Sequence, residues 1–256
     1  MHLSGNTILI TGGGSGIGKA LAQRLHDLGN TVIIAGRRKE ALEAAASALP
    51  RMHWLTLDVE TPESISAFAE RAIAEYPTIN ALINNAGIMR TEALDQSRDL
   101  SDAEATITTN LLGPIRLTNA LIDHLTKQPN AWIVNVSSGL AFVPLVSSPT
   151  YSATKAAIHS YTVAMREALK GTVEVIELVP PLVQTELTPG QSKVPVALPL
   201  PDFINEVVAL LQEQPTPREI LVERAAFQRN AEAENRFDAA VTALNERDRA
   251  VRASRT

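Results

Sequence analysis

The sequence predicts an α/β fold, a single domain in which a parallel sheet of about seven strands lies between two layers of helices. Short apolar runs alternate with amphipathic segments from Thr7 to about Glu223. The apolar runs have the length of strands that are buried on both faces, and the segments between them carry apolar residues at helical spacing. The chain has 256 residues, of which 45% are hydrophobic, so it can bury one large core.

Seven apolar runs are predicted to be strands, at about residues 7–11, 31–35, 53–57, 80–84, 130–136, 173–179 and 219–223. Helices are predicted between them, at about residues 17–28, 39–48, 63–75, 101–127, 152–169 and 203–213. The third helix starts at Thr61-Pro62-Glu63, since a polar residue followed by proline is favoured at a helix N-terminus. Leu200-Pro201-Asp202 marks the start of the last one.

Two segments lack this alternation of strands and helices. Residues 186–201 contain four prolines and predict an exposed connection, whose position after the sixth strand suits a lid. Residues 228–256 mix charged residues with apolar residues at helical intervals. They predict a helical C-terminal extension, which either packs on the body as a surface helix or contacts another subunit. The whole chain, residues 1–256, is therefore expected to form one domain.

The composition excludes several function classes. Lys and Arg total 23 against 28 Asp and Glu, so no positive field exists for nucleic acid or a membrane surface, and neither is expected as a partner. With no cysteine, disulfides and thiol catalysis are excluded, and the five histidines lack the spacing of metal ligands, so no metal is expected. Without a signal-like start or a long apolar run, a cytoplasmic protein is expected.

A glycine-rich turn, Thr11-Gly12-Gly13-Gly14-Ser15-Gly16-Ile17-Gly18, follows the first strand. Without Cβ atoms the backbone can turn sharply and approach a pyrophosphate, toward which the next helix directs its free N–H groups and dipole. The spacing is GxxxGxG rather than GxGxxG. Open α/β sheets of the doubly wound, Rossmann-like type bind nucleotides at this edge. The predicted cofactor residues of this turn are Gly12, Gly14, Ser15, Gly16, Ile17 and Gly18.

The second strand ends in Ala35-Gly36-Arg37-Arg38, without the carboxylate that binds both ribose hydroxyls of NAD. Two guanidiniums can pair with a 2′-phosphate, so Arg37 and Arg38 favour NADP(H), and NAD(H) remains possible. Further along, Asp58 precedes Val59, and its carboxylate is placed to accept the adenine amino group. Asn84-Asn85-Ala86-Gly87 ends the fourth strand on the same rim.

Three polar side chains are predicted to converge at the carboxyl edge of the sheet. Tyr151 and Lys155 lie one helical turn apart on one helix face, and Ser138 ends the fifth strand. A nearby cation favours the phenolate, so Lys155 is expected to lower the pKa of Tyr151 from its ordinary value of about 10. Tyr151 would then act as general acid or base while Ser138 holds the substrate oxygen, and hydride moves between carbon and nicotinamide.

Gly113-Pro114 interrupts the predicted helix at 101–127. Pro114 has no N–H to donate to the carbonyl of Asn110, so a kink is expected there and that carbonyl is left free. We hypothesise that the carbonyl holds a water that connects Lys155 to solvent. A purely structural kink explains the proline equally well.

Taken in order, these motifs resemble the short-chain dehydrogenase/reductase family over roughly residues 5–185. The resemblance implies a doubly wound domain of seven parallel strands, a nicotinamide cofactor and a catalytic tetrad of Asn110, Ser138, Tyr151 and Lys155. It further implies that Tyr151 and Lys155 also bind the cofactor, that Asn85, Ala86 and Gly87 support the central strand, and that the nicotinamide is bound at Pro180, Val183 and Thr185. The run from Asn135 to Pro144 is similar to the teichoic acid D-alanylation (DltE-type) branch.

The chain departs from the family pattern at Pro181, where glycine is usual. Proline fixes φ near about −65° and removes a donor, so the local path of this loop is expected to differ. The family usually pairs its two long helices, here 101–127 and 152–169, between subunits. The resemblance therefore implies a homodimer or homotetramer.

Three functions are compatible with these residues. The first is NADPH-dependent reduction of a small aldehyde or ketone, which the tetrad and the two arginines favour. The second is an NAD-dependent alcohol dehydrogenase that works oxidatively, and the third is a nucleotide-binding sensor without turnover. The candidate residues for the lining of the substrate pocket are largely apolar and fit the core equally well, namely Met89, Leu140, Phe142, Val143 and Leu187.

Overall fold

The computed structural model describes residues 1–253, and it confirms a parallel sheet between two helical layers. The sheet has seven strands in the order β3-β2-β1-β4-β5-β6-β7. The strands are β1 (Thr7–Thr11), β2 (Thr31–Gly36), β3 (Met52–Thr56), β4 (Ile79–Asn84), β5 (Trp132–Val136), β6 (Glu174–Val179) and β7 (Glu219–Leu221). Residues 254–256, the end of the predicted extension, lie outside the described residues.

The α-helices of the described part are α1 (Gly16–Asp27), α2 (Lys39–Ala46), α3 (Pro62–Glu75), α4 (Ser101–Ile107), α5 (Gly113–Leu125), α6 (Pro149–Ala168), α7 (Leu200–Gln212), α8 (Glu223–Arg229) and α9 (Phe237–Ala253). Short 3₁₀ turns occupy Gly139–Ala141 and Gln191–Lys193. Within residues 1–253, no helix is both long and apolar enough to cross a membrane.

Alternate residues of β1 enter the two layers of the core. Ile8 and Ile10 belong to the apolar cluster that includes Leu21 of α1 and Phe203 of α7. Leu9, between them, belongs to the cluster formed with α3 and α5 on the opposite face. Burial of each such side chain contributes about 1.5–3 kcal/mol, so both faces hold the sheet in place.

The predicted helix at 101–127 is divided. Thr108–Leu112 form a π-helical turn between α4 and α5, closed by a hydrogen bond from the Gly113 N–H to the Thr108 carbonyl. The missing donor of Pro114 explains why regular α-helical bonding stops here. The expected kink is therefore present as a π turn, and the water on the Asn110 carbonyl stays a prediction.

The predicted exposed connection at 186–201 is wrong in part. Val194, Ala197 and Leu198 are buried, Leu198 forms a β-bridge with Val183, and α7 begins at Leu200 rather than Phe203. The prolines end regular structure here while three of the apolar residues between them stay buried, and Leu187 and Val196 are exposed as predicted.

Within the described residues, the predicted extension at 228–256 contains the end of α8, a turn and the surface helix α9. α9 packs Ala240, Val241 and Leu244 against Val143 of the body and against Ala231 in the preceding turn. Asn245 of α9 accepts a hydrogen bond from the Val146 N–H at 2.7 Å and donates one to the Pro144 carbonyl at 3.2 Å. The helix therefore rests on the segment that joins Ser138 to α6.

Candidate active site

A cleft with a volume of about 640 Å³ opens at the carboxyl edge of the sheet. It lies where the strand order turns from β1 toward β4, the position at which open α/β sheets bind ligands. The predicted site residues that line it are Gly12, Gly14, Ser15, Gly16, Ile17, Arg37, Arg38, Val59, Asn85, Ala86, Gly87, Ser138, Tyr151, Lys155, Pro180, Val183 and Thr185. Gly18, Asp58 and Asn110 are not among the lining residues.

The glycine turn is packed directly against the end of β4. Gly12 has φ of +68°, and a Cβ there would lie 2.8 Å from Asn85 Nδ2 and 3.0 Å from Ala86 Cα. A Cβ at Gly18 would collide with the carbonyl oxygen of Gly12, which explains this glycine although it does not line the cleft. Thr11 Oγ1 accepts hydrogen bonds from the N–H groups of Asn85 and Ala86, both at 3.0 Å. The backbone thus forms the floor of the cleft.

The two arginines directly follow β2, and both line the cleft. Arg38 Nη2 donates a hydrogen bond to Ser15 Oγ at 3.1 Å, so its guanidinium lies beside the glycine turn. Arg37 Nη1 lies 2.8 Å from Glu60 Oε1, which also accepts a hydrogen bond from Thr109 Oγ1 at 3.0 Å. Both guanidiniums are therefore placed to receive an anionic group, and Glu60 competes with it for Arg37.

Asp58 and Asn110 make hydrogen bonds within the protein. Asp58 Oδ1 accepts from the Glu60 N–H at 3.0 Å and shapes the turn after β3, so its contact with adenine stays a prediction. The Asn110 side chain bonds the main chain of Ile88, which lines the cleft. Asn110 thus lies behind the cleft wall.

Ser138, Tyr151 and Lys155 meet at one end of the cleft, as the sequence predicts. Their residues are only 8%, 7% and 5% exposed. Lys155 Nζ donates a hydrogen bond to the Val136 carbonyl at 2.8 Å and lies 5.5 Å from the centre of the Tyr151 ring. Ser138 Oγ accepts a hydrogen bond from the Leu140 N–H at 3.1 Å, which orients the hydroxyl at the end of β5.

The pKa values of this group are governed by burial. Burial raises the pKa of Tyr151 to about 12, and the Ser138 hydroxyl acts in the opposite direction. Burial lowers the pKa of Lys155 to about 8, and the charge of Glu177 acts in the opposite direction. The expectation that Lys155 lowers the pKa of Tyr151 below its ordinary value is therefore wrong here, because desolvation of the phenol dominates.

The predicted apolar lining is only partly present. Leu187 lines the cleft, whereas Val143 is fully buried under α9 and Phe142 packs against the guanidinium of Arg229. Met89 and Leu140 are not among the lining residues either. The 3₁₀ turn at Gly139–Ala141 directs the chain away from the cleft, which a linear pattern does not reveal.

Other residues of the cleft were not predicted as site residues. Thr11, Ile88, Thr109 and Gln191 line it. Gln191 Nε2 donates hydrogen bonds to the Val183 carbonyl at 2.9 Å and to Thr185 Oγ1 at 3.3 Å. Thr11 and Thr109 adjoin predicted residues in sequence, but no sequence signal marks Gln191, because it reaches the site through the buried part of the connection.

The loop after Pro181 pairs with the chain before α7. The Leu198 N–H donates to the Leu182 carbonyl at 2.9 Å, and the Gln184 N–H donates to the Leu198 carbonyl at 2.8 Å. These bonds hold the loop beside the cleft, so Pro180 and Pro181 both line it.

Comparison with known proteins identifies the family of the chain. The short chain dehydrogenase family model matches residues 6–194. The uncharacterized oxidoreductase DltE of Bacillus subtilis (strain 168) is 46% identical over 189 residues, which are 73% of this chain and 75% of that protein. Sulfoacetaldehyde reductase 2 of Chromohalobacter salexigens is 34% identical over 186 residues, which are 71% of this chain and 74% of that protein.

A solved structure is similar over nearly the whole chain. A short-chain dehydrogenase from Burkholderia cenocepacia J2315 in complex with NADP has a TM-score of 0.81 at 26% identity, covering 95% of this chain and 99% of that chain. The family match extends over most of the sheet, the glycine turn and the Ser138, Tyr151 and Lys155 group. The chain therefore belongs to the short-chain dehydrogenase/reductase family, in the branch of DltE-like oxidoreductases, and is an enzyme of that family.

Proposed function

We propose that this enzyme reduces a small aldehyde or ketone with NADPH, with Tyr151 as the general acid. The observation that carries the proposal is the arrangement of one cleft: Ser138, Tyr151 and Lys155 meet at one end, and Arg37 and Arg38 line its wall beside the glycine turn. Acid–base groups are thereby combined with cations for a phosphate in a single site.

The residues present fit a nicotinamide dinucleotide. The glycine turn leaves no room for Cβ atoms at Gly12 and Gly18, and its backbone would hold the pyrophosphate at the N-terminus of α1. Arg37 and Arg38 would bind the 2′-phosphate, and Val183 and Thr185 would hold the nicotinamide end. When bound, this cofactor supplies the hydride for reduction. The NADP held by the Burkholderia cenocepacia structure supports the phosphate-bearing form.

The protonation states of the site suit the proton transfer that reduction needs. With a pKa of about 12, Tyr151 keeps its proton at neutral pH and can donate it to a carbonyl oxygen. With a pKa of about 8, Lys155 is charged at pH 7 and stabilises the phenolate that forms. Oxidation of an alcohol needs the phenolate at the outset, which burial opposes. Ser138 would hold the substrate oxygen within reach of Tyr151.

The experiment follows loss of NADPH and NADH absorbance with a panel of small aldehydes and ketones. We expect turnover that prefers NADPH and falls by about 10²- to 10⁴-fold in Tyr151→Phe, which lacks only the proton. If NAD is reduced by an alcohol faster than NADPH is oxidised by any of these carbonyl compounds, the alcohol dehydrogenase is favoured. Cofactor binding without turnover on any compound would favour the nucleotide sensor.

We also infer a cytoplasmic homo-oligomer, a dimer or tetramer, that uses α4, α5 and α6 as its contact surface. Ile107 of α4 and Val163 of α6 leave 41% and 47% of their surfaces exposed. Apolar side chains on these two helices would be covered by the same helices of a second copy.

A further inference from the structure

Glu177 is a buried carboxylate in β6, behind the active site. Its residue is 0% exposed, and its Oε2 accepts a hydrogen bond from His159 Nδ1 at 2.8 Å. Its Oε1 has no hydrogen-bond partner among the described residues. A buried carboxylate with an unpaired oxygen is destabilising unless nearby charges compensate it. The groups around Glu177 therefore explain why it is tolerated.

Titratable groups face Glu177 from three elements. The charge of Glu177 raises the pKa of Lys155 and acts in the same direction on Arg166 and Arg229. The facing groups are Lys155, His159 and Arg166 from α6, Arg229 from α8 and Glu219 from β7. Positive charge predominates among them, as a buried anion requires.

A row of side chains on α6 connects the cleft to His159. Tyr151, Lys155 and His159 are spaced four residues apart, so they lie on one face of the helix. Tyr151 is in the cleft, while the His159 side chain is 27% exposed at the other end of the row. Lys155, between them, donates its hydrogen bond to a neutral carbonyl, that of Val136. Glu177 is the anion that acts on its charge.

We propose that Glu177, fixed by His159, is a positioning residue that keeps Lys155 protonated while Tyr151 transfers its proton. The proposal rests on the proposed function, because it assigns a role within the same reaction. His159 Nδ1 donates its hydrogen bond to Glu177 Oε2, and a hydrogen bond to a carboxylate favours its charged form. Burial of Lys155 disfavours the ammonium, and the fixed negative charge on β6 offsets that effect.

A metal ion is a weaker interpretation of the same residues. One ligand atom each of His159, Glu177 and Glu219 lies within 4.8 Å of the others. Arg229, however, donates to both oxygens of Glu219, at 2.6 and 3.0 Å. A divalent cation would have to displace this guanidinium, and Arg166 would repel it. The cluster is therefore better described as a network of fixed charges.

The test is an NMR titration of the Lys155 side chain in the full-length protein without cofactor, with Lys155→Met to identify its signal. In the wild type we expect a midpoint near 8. In Glu177→Gln, which keeps the shape of the side chain, we expect the midpoint to fall by about 1 unit. Glu177→Asp, which restores the charge, is expected to lie between the two and carries the test if Glu177→Gln does not fold.

The matched control is Glu174→Gln, the same change at the exposed start of β6, and it should leave the midpoint unchanged. A folded Glu177→Gln protein with the wild-type midpoint would overturn the proposal. Because this readout needs no turnover, failure of the proposed reduction is separated from failure of the inference. Where turnover is found, the alkaline limb of the kcat profile should move to lower pH in Glu177→Gln by a similar amount.

Discussion

The side chain of Asn110 forms hydrogen bonds with both main-chain polar groups of Ile88. Its Oδ1 accepts a hydrogen bond from the Ile88 N–H and its Nδ2 donates one to the Ile88 carbonyl, each at 2.8 Å. Nδ2 also contacts Thr154 Oγ1 at 3.4 Å. The π turn thereby fixes the cleft wall after β4 to α6, the helix that carries Tyr151.

Asn110→Ala removes both bonds to Ile88 and leaves its main-chain groups without these partners. We expect the free energy of unfolding to fall by about 1–3 kcal/mol, and kcat/KM to fall because the cleft wall is released. Urea unfolding and initial rates measure the two effects. A protein as stable and as active as the wild type would contradict this account of Asn110.

Pro114→Ala tests the role of the Asn110 carbonyl independently of the Asn110 side chain. The alanine restores a backbone N–H that can donate a hydrogen bond to the Asn110 carbonyl. Both hydrogen bonds between the Asn110 side chain and Ile88 stay available. If the carbonyl carries a proton path to Lys155, turnover should fall and its pH profile should change. An unaltered pH profile would leave only the structural role of the π turn.

The sequence predicts the strands well, because each is a short apolar run and most of them are ended by polar or glycine residues. It predicts side-chain directions poorly. Asp58 has the residue type that an adenine site needs, but its carboxylate turns back to the Glu60 N–H. Glu177 is an acid in the middle of a mainly apolar strand, and its role becomes apparent only when α6 brings His159 beside it.

Arg37→Ala combined with Arg38→Ala should raise the KM for NADPH by roughly 10- to 100-fold, because hydrogen bonds to a charged phosphate are lost. The KM for NADH should change little, since that cofactor has no 2′-phosphate. Steady-state kinetics with both cofactors provides the comparison. Lys39→Ala removes the adjacent exposed cation, which pairs with Glu43, and is the control. An equal rise in the KM for NADPH and in the KM for NADH would contradict the proposal that these arginines bind the 2′-phosphate.

Lys155→Met should stabilise the protein without cofactor while it abolishes turnover. The folded-state pKa of Lys155 is about 8, below its ordinary 10.5. Between these values the unfolded chain binds the proton that the folded chain has lost, so wild-type stability rises with pH. The advantage of the methionine variant should therefore be largest below pH 8 and shrink by up to about 3 kcal/mol toward pH 10.5.

Urea unfolding of both proteins at pH 7 and pH 10 measures this difference. Lys127→Met replaces an exposed lysine and should show no such dependence on pH. If the difference between Lys155→Met and the wild type is constant, then burial does not lower the pKa of Lys155.

Asn245→Ala should loosen the segment under α9. The variant loses the bonds to the Val146 N–H and the Pro144 carbonyl, so stability should fall by about 1–3 kcal/mol. The KM for the carbonyl substrate should rise while the KM for NADPH is retained, because the segment joins Ser138 to α6. Glu246→Ala, an exposed neighbour, is the control. Equal changes in both KM values would mean a general loss of structure.

Val163→Lys should separate the subunits, because it places a charge on the exposed apolar part of α6. Light scattering after size exclusion should give a multiple of 27.5 kDa for the wild type and a monomer for the variant. Val196→Lys changes an equally exposed valine outside these helices and should keep the wild-type mass. A monomeric wild type would refute the contact surface.

The match to the family model ends at residue 194, so α9 lies outside it. Nevertheless, α9 packs on the segment between Ser138 and Tyr151. Substitutions in α9 can therefore change the segment that leads to the Ser138 hydroxyl and the Tyr151 phenol without altering either residue. A tail grafted from another branch would be a direct route to a new substrate range on an unchanged catalytic core.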